Sequence, residues 1–373
     1  MVKGIDAFKK EVIMLALYTT ECILSSIYVS NDNSGEKVWN NFIQKAKPSL
    51  NILLDMGSDF EYNNDNPILL LSKDYDLDVD VQENGKDNDE SYIAKVIGMR
   101  LDTIDDPNAI FVLDIKSELA REISIKYGVI CHSIYDDPYG CPLFQESFEI
   151  NAVKKKINES WVDILSKDNV FPSNSLIVID RYLFSNDTDA TSQDGIDNLY
   201  EILNNILPYK LGVEYHILIV FDDKTLNKEE PFEIISNKIN KLKKRLRREY
   251  PITIESVSIP KGYAHYDSTH NRRIISNYFI LRVDHSFKAF RNGQGLYSQT
   301  IFMDWAASKG VIYSKKSHAP IKGMAETIEE LKMAIRQLMK SVGQEKYTLN
   351  GKGSGQGVLL SIEGITNRLL SLH

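Results

Sequence analysis

The stretch Ala109-Ile110-Phe111-Val112-Leu113-Asp114-Ile115 decides the fold class, together with the segments that follow it. It is a continuous apolar run, which is typical of a strand buried on both faces. Ser117–Lys126 has the length of a short helix, Gly128 is placed to end that helix, and Val129–Ile134 is a second apolar run. A strand, a crossover helix and another strand predict a parallel pair. The sequence therefore predicts an α/β fold.

The second half of the chain repeats this alternation. Its strands and helices are predicted, in chain order, at Ser175–Ile179, Asp194–Leu207, Tyr215–Phe221, Phe232–Tyr250, Ile252–Ile259 and within Arg273–Val283. A chain of 373 residues is longer than one core usually supports. We therefore expect two α/β halves with mixed, largely parallel sheets, a helical N-terminus and a helical C-terminal tail. The expected domains are residues 1–167, 168–300 and 301–373.

Shorter segments complete the predicted layout. Two helices are expected in residues 1–47, one in residues 150–166 around Trp161, one at Thr327–Val342, and a last one after the flexible segment Gly351–Gly357. Strands are expected at Asn51–Leu54, at Ile68–Leu71 and, as a solvated edge strand, at Asp74–Val81.

The apolar stretch Val12–Val29 has lysines before it, as a secretory signal does. Glu21 interrupts the stretch and no small-residue cleavage pattern follows, so a buried helix is the preferred interpretation over a signal or a membrane span. Cys22, Cys131 and Cys141 are odd in number and form no CxxC pair. They indicate neither a disulfide framework nor a zinc site. We expect a cytoplasmic protein without a membrane partner.

The formal net charge of −8 is an average over two opposed regions. Residues 51–150 sum to −15 and residues 231–300 to +8. The residues predicted to contact nucleic acid are mostly in the helix at 232–250, and they are Lys241, Lys243, Lys244, Arg245, Arg247, Arg248 and, further along, Arg273. Clustered cations bind phosphates by releasing counterions. Two alternatives stay open: the helix face is merely solvated, or the acidic half docks on it.

The segment around His270 carries the candidate chemistry. His270 is followed two residues on by Arg272, and Asn277 comes five residues later. Positions two apart in a strand share a face, so an imidazole and a guanidinium would point the same way. The imidazole could attack phosphorus while the cation neutralises the developing charge.

The spacing His270-x-Arg272-x4-Asn277 resembles the phospholipase D superfamily signature His-x-Lys-x4-Asp. The resemblance implies that His270 is the covalent nucleophile or the acid, that Arg272 binds phosphate and that Asn277 stands where the family has Asp. It also implies metal-independent chemistry, so no cofactor is expected. The chain departs from the family in having Asn instead of Asp and only one motif, so activity would require a homodimer or a half-site with different chemistry. His285 is a candidate acid; alternatively, it packs at a strand end.

Four carboxylates, Asp55, Asp114, Asp180 and Asp222, end predicted strands. Ligands of open α/β sheets bind at that edge, so a magnesium-dependent nuclease is a third hypothesis. The usual reason for Asp at these positions is turn or cap formation.

The sequence thus leaves open whether the chain is an enzyme. The first hypothesis is a phospholipase D-like phosphodiesterase or nuclease that acts on, or binds, nucleic-acid phosphodiesters. The alternative is a non-catalytic phosphate- or nucleic-acid-binding subunit of a larger bacterial assembly, such as a defence system. The expected partners are nucleic acid and either another protein or a second copy of the chain.

Overall fold

A computed structural model of the chain describes residues 15–29, 34–46, 50–56, 78–83, 92–100, 106, 108–145, 147–151, 160–165, 171–184, 194–222, 231–259, 272–284, 286–291, 295–296, 300–306, 324–342, 358–359 and 365–370. The helices are α1 Glu21–Val29, α2 Ser34–Ala46, α3 Tyr92–Ile97, α4 Ser117–Tyr127, α5 Trp161–Ile164, α6 Asp194–Ile206, α7 Pro231–Leu246 and α8 Met324–Val342. The strands are β1 Leu15–Thr20, β2 Leu50–Met56, β3 Asp78–Glu83, β4 Ala109–Leu113, β5 Ile130–Ser133, β6 Phe148–Asn151, β7 Ser175–Ile179, β8 Tyr215–Phe221, β9 Ile252–Ser258, β10 Arg272–Ser276, β11 Phe279–Val283, β12 Phe290–Arg291, β13 Gly295–Leu296, β14 Thr300–Trp305 and β15 Val358–Leu359. The α/β fold is confirmed.

The chain divides into two compact units. The first unit consists of Met1–Ser124, Val129–Gln145 and Ala307–Glu326, and the second of Ile125–Gly128, Glu146–Ala306 and Thr327–His373. The domain boundaries expected from the sequence, after residues 167 and 300, stay a prediction.

The first unit contains a five-stranded, all-parallel sheet in the order β3-β2-β1-β4-β5. The two helices expected in residues 1–47 are present as α1 and α2, but residues 15–20, which belong to the apolar stretch expected to be a buried helix, form the central strand β1 of this sheet. Leu15 and Leu17 are fully buried, and β1 hydrogen-bonds to strands on both sides. A short run that is apolar on both faces cannot be told from a buried helix by its periodicity. β3 lies at the edge of the sheet, as its alternating acidic residues predict.

The second unit contains an eight-stranded sheet in the order β15-β9-β8-β7-β10-β11-β14-β6. Only β7, β8 and β9 are parallel to one another, and the other pairs are antiparallel. This corrects the expectation of a largely parallel sheet. The predicted strand in Arg273–Val283 is two strands, because Asn277 and Tyr278 form a two-residue turn between β10 and β11. A hairpin of this kind needs no crossover helix.

Of two helix predictions in the second unit, one is confirmed in part around Trp161 and the other needs correction. In residues 150–166 the described helix is limited to α5 (Trp161–Ile164), and β6 pairs with β14. After Gly351–Gly357, which lies outside the described residues, β15 adds to the edge of β9, and residues 368–370 form a turn. α8 confirms the helix expected at Thr327–Val342. Among the described residues, no helix has both the length and the apolar character needed to cross a membrane.

Gly128 ends α4 as predicted, with a φ of 65°. A Cβ at this position would come within 2.3 Å of the Ser173 carbonyl oxygen. Both the left-handed backbone and the close approach require glycine. The turn after α4 therefore packs directly on the segment that leads into β7.

Candidate functional site

The four residues expected to be catalytic are only partly placed by the structure. His270 and His285 lie outside the described residues. Arg272 begins β10, and Asn277 follows the other end of the same strand. Five residues of extended chain separate the two Cα atoms by roughly 16 Å. The structure therefore does not bring Arg272 and Asn277 together.

Asn277 is buried and its amide is used within the protein. Its Oδ1 accepts hydrogen bonds from the backbone N–H groups of Asn174 at 3.0 Å and Ser175 at 3.1 Å. Its Nδ2 donates to Asn174 Oδ1 at 3.0 Å. This side chain joins the β10–β11 turn to the start of β7. The carboxylate-like role that the family resemblance implies for Asn277 has no support in this geometry.

Arg272 lies at the opposite end of β10, beside the carboxyl end of β7. Its guanidinium carbon is 5.4 Å from the centroid of the Tyr182 ring, and its Nη1 donates to the Asp284 carbonyl oxygen. Asp180, which follows β7, is completely buried. Its Oδ2 accepts from Ser286 Oγ at 2.6 Å and from the Phe287 N–H at 2.9 Å.

Burial raises the pKa of Asp180, and its hydrogen bonds and the nearby Arg272 oppose that shift. A second arginine follows Asp180 at the end of β7 and reaches the carboxylate that follows β8. Arg181 Nε lies 3.0 Å from Asp222 Oδ2, and its guanidinium carbon is 5.3 Å from the Tyr182 centroid. The Tyr182 ring thus contacts two guanidinium groups. We name Asp180, Arg181, Tyr182, Asp222 and Arg272 the strand-end network.

The metal hypothesis for the strand-end carboxylates gains little from this arrangement. Within the described ranges, no group of three His, Cys, Asp or Glu side chains could hold a metal ion. In the first unit, Asp55 accepts from the Ile93 N–H at 2.6 Å and Asp114 accepts from Tyr135 Oη at 2.5 Å. These two carboxylates stabilise a helix start and a loop, which is the ordinary use of Asp after a strand.

The basic helix α7 presents a different environment. Its buried stripe consists of Ile235, Lys238, Ile239, Leu242 and Leu246. The opposite face is exposed, including Lys241, Lys243 and Lys244, and Arg247 is exposed just beyond the helix. None of these four cations has an ion-pair partner among the described residues. Their charge is therefore available to solvent.

The other three predicted nucleic-acid contacts are engaged within the protein. Arg245 pairs with Asp197 and lies 4.1 Å from the centroid of the Tyr200 ring. Arg273 is buried, and its Nη1 donates to Thr327 Oγ1. Arg273 is therefore not at the surface, where the sequence predicted a contact with nucleic acid. The pleat of β10 directs alternate side chains to opposite faces of the sheet.

Arg248 is part-buried and binds the end of α6. Its Nη2 donates to the Asn204 carbonyl oxygen at 2.9 Å, and its Nε donates to the Pro208 carbonyl oxygen at 3.2 Å. Carbonyl groups at the end of a helix have no partner within the helix, and a cation there is favourable. Arg248 therefore stabilises the packing of α7 against α6.

An open region of about 580 Å³ lies over the exposed face of α7 and is bordered by Asn237, Asn240, Lys241 and Lys244. These positions have the spacing i, i+3, i+4 and i+7, so they lie on one face of the helix. The two amides were missed by sequence reasoning that searched for charge alone. Their spacing opposite the apolar stripe was the signal that could have found them.

No family model matches the chain, and no curated protein matches it. Among solved structures, it is similar to a glycosyltransferase from Rickettsia africae ESF-5, with 13% sequence identity over 65% of this chain and 68% of the other. The TM-score of 0.16 is too low for that similarity to support any conclusion about fold or activity.

Proposed function

We propose that the chain binds the phosphodiester backbone of a nucleic acid through the exposed face of α7. The observation that carries this proposal is the set of four exposed cations, Lys241, Lys243, Lys244 and Arg247, without ion-pair partners in the described part of the chain. Because no described residue forms an ion pair with them, their charge can be neutralised by phosphates with release of counterions. The overall charge of −8 does not argue against nucleic-acid binding, since a partner contacts one charged surface and does not experience the average charge of the chain.

The salt dependence of binding tests this proposal. Neutralising three to four phosphates predicts a slope of log K against log[salt] between about −2.7 and −3.6. The measurement is fluorescence anisotropy of a labelled short duplex with the full chain, across about 50 to 200 mM salt. A variant that combines four substitutions should lose most of the affinity and give a flatter salt slope. The substitutions are Lys241→Ala, Lys243→Ala, Lys244→Ala and Arg247→Ala.

The matched control combines Arg336→Ala and Lys340→Ala, two exposed cations on α8. This control should bind as the wild type does. Absence of binding by the wild type at low salt, or an equal loss in both variants, would contradict the proposal.

Phosphodiester cleavage at the strand-end network is a second candidate function. It is favoured by the position of Arg272, whose guanidinium reaches the carboxyl edge of the sheet two residues after His270. Cleavage of labelled DNA and RNA in EDTA should then be lost in both His270→Ala and Arg272→Ala, with binding through α7 retained. Equal cleavage by wild type and His270→Ala would remove the catalytic role and leave the binding function in place.

A further inference from the structure

The exposed face of α7 combines amides with cations in an order that bears on the kind of nucleic acid. On a helical wheel of about 100° per residue, Asn240, Lys244 and Asn237 form a central ridge opposite the buried stripe. Lys241 lies on one side of this ridge and Lys243 on the other. Neither amide has a hydrogen-bond partner within the described residues.

A ridge of amides flanked by cations matches the major groove of B-form DNA. That groove is about 12 Å wide and admits an α-helix, which with its side chains is about 10–12 Å across. Asparagine can form two hydrogen bonds with adenine N6 and N7. Lysines on the two flanks would face the phosphates of the two strands that border the groove.

Double-stranded RNA does not offer the same fit. Its A-form major groove is deep and narrow, and side chains cannot read it. A single strand offers no groove and is bound mainly through stacking on aromatic side chains. The residues that border the open region over α7 are Asn and Lys, with no aromatic residue among them.

We infer that α7 is a recognition helix for double-stranded DNA, in which Asn237 and Asn240 contact base edges and Lys241 and Lys243 contact phosphates. This inference rests on the proposed function, since it names the nucleic acid that the α7 surface binds. The amides carry sequence selectivity, and the lysines carry the salt-dependent part of the affinity.

Two measurements on the full chain test the inference. The first compares affinity for duplex DNA, duplex RNA and single-stranded DNA of one sequence, and duplex DNA should bind at least roughly tenfold more tightly than the RNA. The second selects preferred sites from a pool of randomised DNA duplexes. The combined variant Asn237→Ala and Asn240→Ala should lose the preference for the selected site with an unchanged salt slope.

The combined variant Lys241→Ala and Lys243→Ala should do the reverse, weakening all duplexes alike and reducing the salt slope by about 2. Gln337→Ala with Lys340→Ala, an exposed amide and cation on α8, is the matched control and should change neither property. Equal affinity for DNA and RNA duplexes, or unchanged selectivity without the two amides, would overturn the recognition helix while leaving phosphate binding by α7 standing. If the lysine variant bound DNA as tightly as the wild type, the proposed function itself would be overturned instead.

Discussion

Two basic regions of the second unit differ in what their cations contact. Along α7, Lys241, Lys243 and Lys244 are exposed, with no ion-pair partner among the described residues. On β10, Arg272 and Arg273 are arranged within the protein, one over the Tyr182 ring and one against Thr327. Charge density in the sequence is high in both regions. On β10, by contrast, Arg273 is buried, so the availability of the charge, and not its amount, distinguishes an interface from a structural network.

The largest expected effect is on the buried arginine. Arg273→Ala should lower the free energy of unfolding by about 3 kcal/mol, because it leaves a cavity and removes the partner of the Thr327 hydroxyl. Arg247→Ala on the exposed surface should change it by less than about 0.5 kcal/mol. Urea unfolding of both variants measures the difference, and equal losses would mean that the contrast between the two regions is wrong.

Asn277→Ala should be nearly as destabilising, by about 2–3 kcal/mol. It leaves the backbone N–H groups of Asn174 and Ser175 buried without their acceptor. Asn277→Asp is the informative companion, because it keeps the acceptor but loses the donor to Asn174 Oδ1. If Asn277→Ala unfolds like the wild type in urea, the structural role assigned to this side chain fails.

A smaller effect is expected at the C-terminal end of α7 and just beyond it. Arg248→Ala should cost about 1–2 kcal/mol, since it removes the donors to the Asn204 and Pro208 carbonyl oxygens. Lys244→Ala, an exposed neighbour, should leave the thermal midpoint within error and lower only the affinity for nucleic acid. If Lys244→Ala lowered the stability and Arg248→Ala did not change it, the roles assigned to these two residues would be wrong.

The smallest effect concerns the strand-end network and its pH dependence. The pKa of Asp180 is raised in the folded chain, so the folded state holds this proton more tightly than the unfolded state. Its contribution is fully present below the ordinary carboxyl pKa and is lost as pH rises through the raised value. Asp180→Asn should therefore remove the fall in stability between the ordinary carboxyl pKa and the raised one, measured by urea unfolding at several pH values. An unchanged profile would show that Asp180 titrates normally.

Much of the fold could be predicted from apolar periodicity. The strands β4, β5, β7, β8 and β9 and the helices α6 and α7 lie close to their expected positions. The element missed at the N-terminus, β1, is buried on both faces, so the periodicity of its side chains could not distinguish a strand from a helix. The candidate site was predicted less completely. The cations of α7 were predicted to contact nucleic acid, whereas Asn237 and Asn240 were missed, and the loose motif indicated Arg272 and Asn277, which the structure does not bring together.

The sequence alone determined the α/β alternation, the apolar stripe of α7 and the concentration of basic residues on that helix. The tertiary structure decided which of those cations are available. Asn277 receives hydrogen bonds from residues about a hundred positions earlier, and Arg248 binds carbonyl groups some forty positions earlier. The physical reason is that a buried polar group must find a partner wherever packing places one, and that partner is set by the fold and not by neighbours in sequence.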